Sequence, residues 1–115
     1  MGIMFLMSDF VGGLTLSESP EGLVVAGEID SATVDVLARA LRSANGGTAD
    51  LVLSMADVQF IDSSGLRVLI EAHQEAENEG RQLIIDQPSA IVARLLEISG
   101  LTTHLHIRPA RAETA

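Results

Sequence analysis

Three stretches in which apolar residues recur at helical spacing, each closed by glycine, alternate along this chain with two short aliphatic runs and a last strand-like segment, and one hairpin precedes them all. The hairpin comes from Leu14-Thr15-Leu16-Ser17 and Gly22-Leu23-Val24-Val25-Ala26-Gly27, separated by Glu18-Ser19-Pro20-Glu21, where proline pre-sets a turn. From Ser31 to Ala44 the residues Val34, Leu37, Ala40, Leu41 and Ala44 carry a helical period, and Asn45-Gly46-Gly47 supplies the left-handed stop that helices favour. Leu51-Val52-Leu53-Ser54 reads as a buried parallel strand leading through Asp57-Val58-Gln59-Phe60-Ile61 to Asp62-Ser63-Ser64-Gly65. In the second helix Leu66, Leu69, Ile70, His73 and Ala76 share one face, Glu71, Glu75, Glu77 and Glu79 lie largely elsewhere as a solvated face, and Gly80 ends it. Leu83-Ile84-Ile85 repeats the buried-strand pattern. Pro88 suits the first turn of a third helix, whose period runs through Ile91, Val92, Leu95, Leu96 and Ile98 to Ser99-Gly100. His104-Leu105-His106-Ile107 reads as a last edge strand.

With right-handed crossovers this order predicts an α/β fold: a single domain with a mixed, mainly parallel β-sheet, an N-terminal hairpin and three to four α-helices on one face or both. A chain of 115 residues suffices for one core, since folding at this size buries about two thirds of the surface of the unfolded chain. Apolar residues make up 47% of it but aromatic ones only 3%, without Trp or Tyr, so that core must be aliphatic. The domain is expected over residues 14–107, after an arm or first strand over 1–13 and before a frayed tail over 108–115. The apolar start Met1 to Met7 has no basic residue before it, breaks at Ser8-Asp9, and is too short for a signal-peptide core or a membrane span. Leu6 also sits where a myristoylation pattern needs Ser or Thr. An arm, or a true start at Met4 or Met7, accounts for it.

A formal charge of −9 repels phosphodiester backbones and anionic lipid, so neither nucleic acid nor membrane is an expected partner; proteins with a basic patch are. The absence of Cys excludes disulfides, thiolate metal sites and Cys nucleophiles, and is compatible with a reducing compartment. His104 and His106, two apart, would share one face of a strand, but no third ligand is evident and no metal site or cofactor is expected. No Gly-x-Ser-x-Gly supports a hydrolase, and a receiver-like phospho-Asp protein would want a Lys that this chain lacks, so no catalytic residues are assigned. By themselves Ser64 reads as a helix N-cap, Ser63 as a turn residue, and Asp30 as the N-cap of the helix from Ser31. Neither helix start has a capping box, because Val34 and Arg67 stand where Glu or Gln is needed.

Val58-Gln59-Phe60-Ile61-Asp62-Ser63-Ser64-Gly65-Leu66 resembles the phosphorylation loop of the anti-sigma factor antagonist (STAS) family. Gly27-Glu28-Ile29-Asp30 and Leu95-Leu96-Glu97-Ile98-Ser99-Gly100-Leu101 match in order, so the resemblance spans residues 14 to 107. It implies that Ser64 is the phosphoacceptor, on a helix start whose free N–H groups tolerate an added phosphate. It also implies a partner surface of Asp30, Asp62, Ser63, Ser64, Gly65, Leu66 and Arg67, with Gly65 letting a partner backbone approach and Arg67 on the exposed edge of the helix. The implied protein is a cytoplasmic, monomeric regulator of transcription in a stress response. Its partners are a serine kinase that serves as anti-sigma factor and a serine phosphatase that reverses the modification. The same fold resembles non-switching interaction subunits of transporters, sensors and lipid-export complexes; the intact Ser63-Ser64 pair argues against that role.

Overall fold

A computed structural model of the protein describes residues 9–11, 13–44 and 49–109. Residues 1–8 and 12 of the arm or first strand expected over 1–13, the helix stop at 45–47, and residues 110–115 of the tail expected over 108–115 lie outside those residues. The elements run β1 (Asp9–Val11), β2 (Leu14–Ser19), β3 (Gly22–Ile29), α1 (Val34–Ala44), β4 (Leu51–Ile61), α2 (Ser63–Asn78), β5 (Leu83–Asp86), α3 (Ala90–Ile98) and β6 (His106–Arg108). They form one six-stranded sheet in sequence order. β1, β2 and β3 pair antiparallel, and β3, β4, β5 and β6 pair parallel. The expected mixed, mainly parallel α/β fold is therefore the one observed, with three helices among the described residues. No helix among them is long and apolar enough to cross a membrane.

The hairpin closes on Pro20-Glu21, with Ser19 paired to Gly22 and Leu14 to Gly27. β4 is longer than its aliphatic run suggested. Residues 51–54 lie between β3 and β5, and Leu51, Val52 and Leu53 are all buried, as expected of a central parallel strand. Beyond Ser54 only β3 pairs with it, and two register irregularities, between Val24 and Ala26 and between Gly27 and Glu28, each add one residue to β4. Each added residue resets the alternation. Burial then falls on Met55, Val58 and Ile61, a spacing of three that no regular strand shows. Gly27, at the second irregularity, has φ +97° and lies so close to the Gly13 carbonyl that a side chain would not fit.

Leu14, Leu16, Leu23, Val25, Ile29, Leu53, Met55, Val58, Ile61, Leu83 and Ile85 from the sheet join Leu37, Ala40 and Leu41 of α1, Leu69, Ala72 and Ala76 of α2, and Val92 and Leu96 of α3 in one core. That core is entirely aliphatic. On α2 the buried line is Gly65, Leu69, Ala72 and Ala76, while Leu66, Ile70 and His73 are only half-buried.

Three boundaries differ from the sequence reading. α1 begins at Val34, three residues late, because residues 31–33 form a separate turn. Pro88 precedes α3 without entering its first turn: Ser89 is the N-cap and its side chain accepts from Val92 N at 3.4 Å, while Ser89 N donates to Met55 O at 3.0 Å. At the end, His104 lies in a turn and β6 extends through Arg108, which had been assigned to the tail. Arg108 Nε donates to Asp86 Oδ1 at 2.7 Å, and this ion pair holds the strand end in register.

Candidate functional site

Parallel pairing of β3 with β4 ends at Ile29 opposite Ile61, so the turns that begin with Asp30 and Asp62 leave the sheet side by side. Asp62 N donates to Ile29 O at 3.1 Å and ties the two exits together. Two residues 32 positions apart in sequence are thus brought to one edge by strand register alone.

At the second exit Asp62, and not Ser64, caps α2. Its backbone is extended, and its Oδ1 accepts from Ser64 N at 2.9 Å and from Gly65 N at 3.3 Å. The cap reading of Ser64 fails for a simple reason: Asp is as good an N-cap as Ser and comes first in the chain. Ser64 occupies the second helical position, and its hydroxyl donates to the same Asp62 Oδ1 at 2.6 Å. The Ser64 hydroxyl, aided by the Gly65 and Ser64 N–H groups, holds the Asp62 carboxyl below its usual value, against partial desolvation acting the other way. The phosphoacceptor candidate is therefore a half-buried hydroxyl held in a fixed direction by a charged group, beside N–H groups at a helix start.

Around it, Ser63 and Arg67 are exposed and Leu66 is half-buried against the core. Gly65 is buried, which changes its expected role. A Cβ there would stand 2.6 Å from Ile29 Cγ2 and 2.9 Å from Ile61 Cγ1, so the missing side chain lets α2 start against the sheet and does not open a way for a partner. Phe60, 44% exposed and two residues before Asp62, was not singled out from the sequence. An aromatic ring left in water beside a polar loop is the signal that identifies it, and only the broken alternation of β4 turns it outward.

Asp30 does cap, but it caps the turn before α1: its Oδ1 accepts from Ala32 N at 3.0 Å and Thr33 N at 3.1 Å. Thr33, fully buried, was also missed. Its hydroxyl donates to Glu28 O at 2.9 Å and accepts from Asp30 N at 3.0 Å, pinning the Asp30 turn to the end of β3. The two histidines expected to share a strand do not do so; His106 instead meets His73 and Glu77 on α2.

A family model described as the STAS domain matches residues 19–114. The anti-sigma-B factor antagonist of Bacillus subtilis (strain 168) is 34% identical over 77 residues, covering 67% of this chain and 71% of that protein. The chain belongs to the STAS family of anti-sigma factor antagonists. The anti-sigma-B factor antagonist of Staphylococcus aureus (strain NCTC 8325 / PS 47) is 31% identical over 84 residues, covering 72% of this chain and 78% of its own. Among solved structures, an anti-sigma factor antagonist from Mycobacterium paratuberculosis superposes with a TM-score of 0.68 at 23% identity, over 90% of this chain and 84% of that one. The unphosphorylated form of the anti-sigma factor antagonist SpoIIAA superposes with 0.67 at 23% identity, over 87% and 90%. At such identities the likeness shows the fold.

The cap of this STAS domain makes a stability prediction. Asp62→Ala is expected to cost about 0.5–2 kcal/mol at neutral pH, whereas Asp62→Asn, which keeps the acceptor, costs less. Because the folded carboxyl lies below the ordinary 3.8, its ionised form stabilises the fold fully above that value, and the contribution is lost as pH falls through the folded pKa. Urea unfolding of wild type and Asp62→Ala should accordingly show a gap that is constant near neutrality and narrows below about pH 4. A gap independent of pH would mean that the Ser64–Asp62 contact is not a charge-assisted one.

Proposed function

We propose that this STAS domain is an anti-sigma factor antagonist of a partner-switching pathway. Unphosphorylated, it binds a serine kinase that serves as anti-sigma factor, and the sigma factor is released; phosphorylation of Ser64 by that kinase ends the binding, and a serine phosphatase restores it. The observation that carries the reading is the Ser64 hydroxyl, directed by Asp62 at 2.6 Å at the exposed end of the sheet. Support also comes from the relatives named as anti-sigma-B factor antagonists.

The binding surface in this reading is the Asp30 turn, Asp62, Ser63, Ser64 and Arg67, with Phe60 as an added apolar anchor. Phe is among the side chains enriched at the buried core of interfaces, where a few anchors carry most of the energy. Leu66 and Gly65 support the loop from inside.

The chemistry of the switch follows from the cap. When the γ-phosphoryl group passes from ATP to Ser64 Oγ, the bond to ADP breaks and the hydroxyl proton leaves, so the donor to Asp62 is gone. In its place stands a group of about −1.5 to −2 charge. It competes with the Asp62 carboxylate for the N–H groups of Ser64 and Gly65, so the loop cannot keep the cap it had. A local charge change thereby becomes a change in the shape presented to the kinase.

The test uses lysate of the native host as the source of kinase. Incubated with ATP and that lysate, the wild-type protein and Ser63→Ala are expected to gain one phosphate, mapped to Ser64 by mass spectrometry, and Ser64→Ala none. Phosphate on Ser63, or equal labelling of Ser64→Ala, would overturn the assignment.

A further inference from the structure

In the C-terminal half of α2, away from Ser64, three metal-ligating side chains converge. His73 and Glu77 stand four residues apart and so occupy one face of the helix. β6 begins beside that face with His106. Each of the three offers one ligand atom, and these atoms all lie within 4.8 Å of one another. The Glu77 carboxylate lies between the rings, with Oε1 3.7 Å from His73 Nε2 and Oε2 3.2 Å from His106 Nε2. Bonds of about 2.0–2.2 Å at a tetrahedral ion separate its ligand atoms by roughly 3.3–3.6 Å. The three ligand atoms, within 4.8 Å of one another, must draw together by up to about 1.5 Å to reach that range, a movement open to the partly exposed Glu77 and His106 side chains.

A second observation is independent of that spacing. The His73 side chain is only 12% exposed, yet its Nδ1 is buried with no hydrogen-bond partner among the described residues, and its Nε2 reaches only the carboxylate at 3.7 Å. That separation is too long for a hydrogen bond. Burying the imidazole Nδ1 without a bond is costly, a penalty that Leu at the same place would not carry. An ion bound through Nε2 adds one strong bond to a ring whose Nδ1 stays unpaired. Ile70, Leu101 and Leu105 line the adjoining cleft with Gln74 and His104, which gives the site an apolar wall and an open approach.

We propose that His73, Glu77 and His106 bind one divalent transition-metal ion of the zinc class. Two imidazoles and one carboxylate form a donor set that suits such ions, with the fourth position open to water or to an outside ligand. The ion would clamp the three-residue edge strand β6 to α2. At 1.5 Å per residue, His73 and Glu77 lie roughly 14 and 20 Å along the helix from Ser64, so the site is separate from the phosphorylation loop. Its test does not depend on the switch.

The experiment is calorimetric titration of the tag-free full chain with zinc chloride. One ion per chain is expected, with a dissociation constant at or below about 10 μM. Glu77→Gln and His106→Asn should each weaken binding by about tenfold or more, and His104→Asn by less than about threefold. Glu77 and His106 are 50% and 38% exposed, so the variants are expected to fold, which metal-free melting curves verify. Saturating zinc should raise the melting temperature of wild type and leave that of Glu77→Gln unchanged. Absence of stoichiometric binding at about 100 μM zinc, unaltered affinity in both ligand variants, or loss of binding in His104→Asn would each overturn the site.

Discussion

Ser64→Asp is expected to bind the host kinase at least about a hundredfold more weakly than Ser64→Ala, a difference of ~3 kcal/mol. The two variants change the same place in opposite ways. Ser64→Ala removes one hydrogen bond, the 2.6 Å contact from the hydroxyl to Asp62, and leaves the two backbone N–H groups that Asp62 also accepts. The cap survives, and so does the neutral surface offered to the partner. Ser64→Asp places a second carboxylate beside the first. Two like charges about 4 Å apart repel by roughly 1 kcal/mol in water and roughly 4 kcal/mol at the dielectric of a protein surface. That repulsion grows when a partner excludes water from the loop, and an anion buried there without a cation must also be desolvated. Binding of the two variants to the captured kinase, titrated side by side, checks the expectation. Equal affinities would remove the switch and leave the domain a constitutive binding module.

Leu69→Ala is expected to lower the melting temperature by roughly 10–20 °C, corresponding to about 2–5 kcal/mol lost from a fold that has about 5–15 kcal/mol in all. Leu69 is fully buried and lies five residues beyond Ser64 on the same helix. It anchors the helix start on which the Asp62–Gly65 loop rests. A cavity there costs both the lost transfer of apolar surface and the contacts of its lining, because the surrounding core relaxes only in part. Leu69→Met, of similar volume, should cost less than about 1.5 kcal/mol. Calorimetric melting of the three proteins decides the matter. A shift of only a degree or two in the Ala variant would show that α2 is not held through this residue.

Much of the fold is legible in the chain because its signals are local. The hairpin turn at Pro20-Glu21, the aliphatic runs at 51–54 and 83–85, and the helical periods each lie within a short window in which geometry is set by near neighbours. Where two local signals compete, the reading slips by a few residues. Asp62 and Ser64 are both good caps, as are Pro88 and Ser89 good starts, and tertiary contacts such as Ser89 N to Met55 O choose between them.

The Asp62–Gly65 loop stands out in the sequence by its likeness to a family, not by its chemistry. The residues themselves suggested only a helix cap. What makes Ser64 distinctive is the direction in which Asp62 holds its hydroxyl, and a bond between side chains two apart depends on backbone angles that composition does not reveal.

By itself, then, the sequence determined the order of elements, an aliphatic core, an acidic surface and the loop in which the Asp-Ser-Ser-Gly run lies. The tertiary structure alone decided which distant residues meet. Strand register set Asp30 beside Asp62, two irregularities in β4 turned Phe60 outward, and the packing of β6 against α2 brought His106 to His73 and Glu77. The physical reason is the same in each case: a periodic pattern specifies which face of an element is hidden, whereas the neighbour it hides against depends on the whole chain closing around one core.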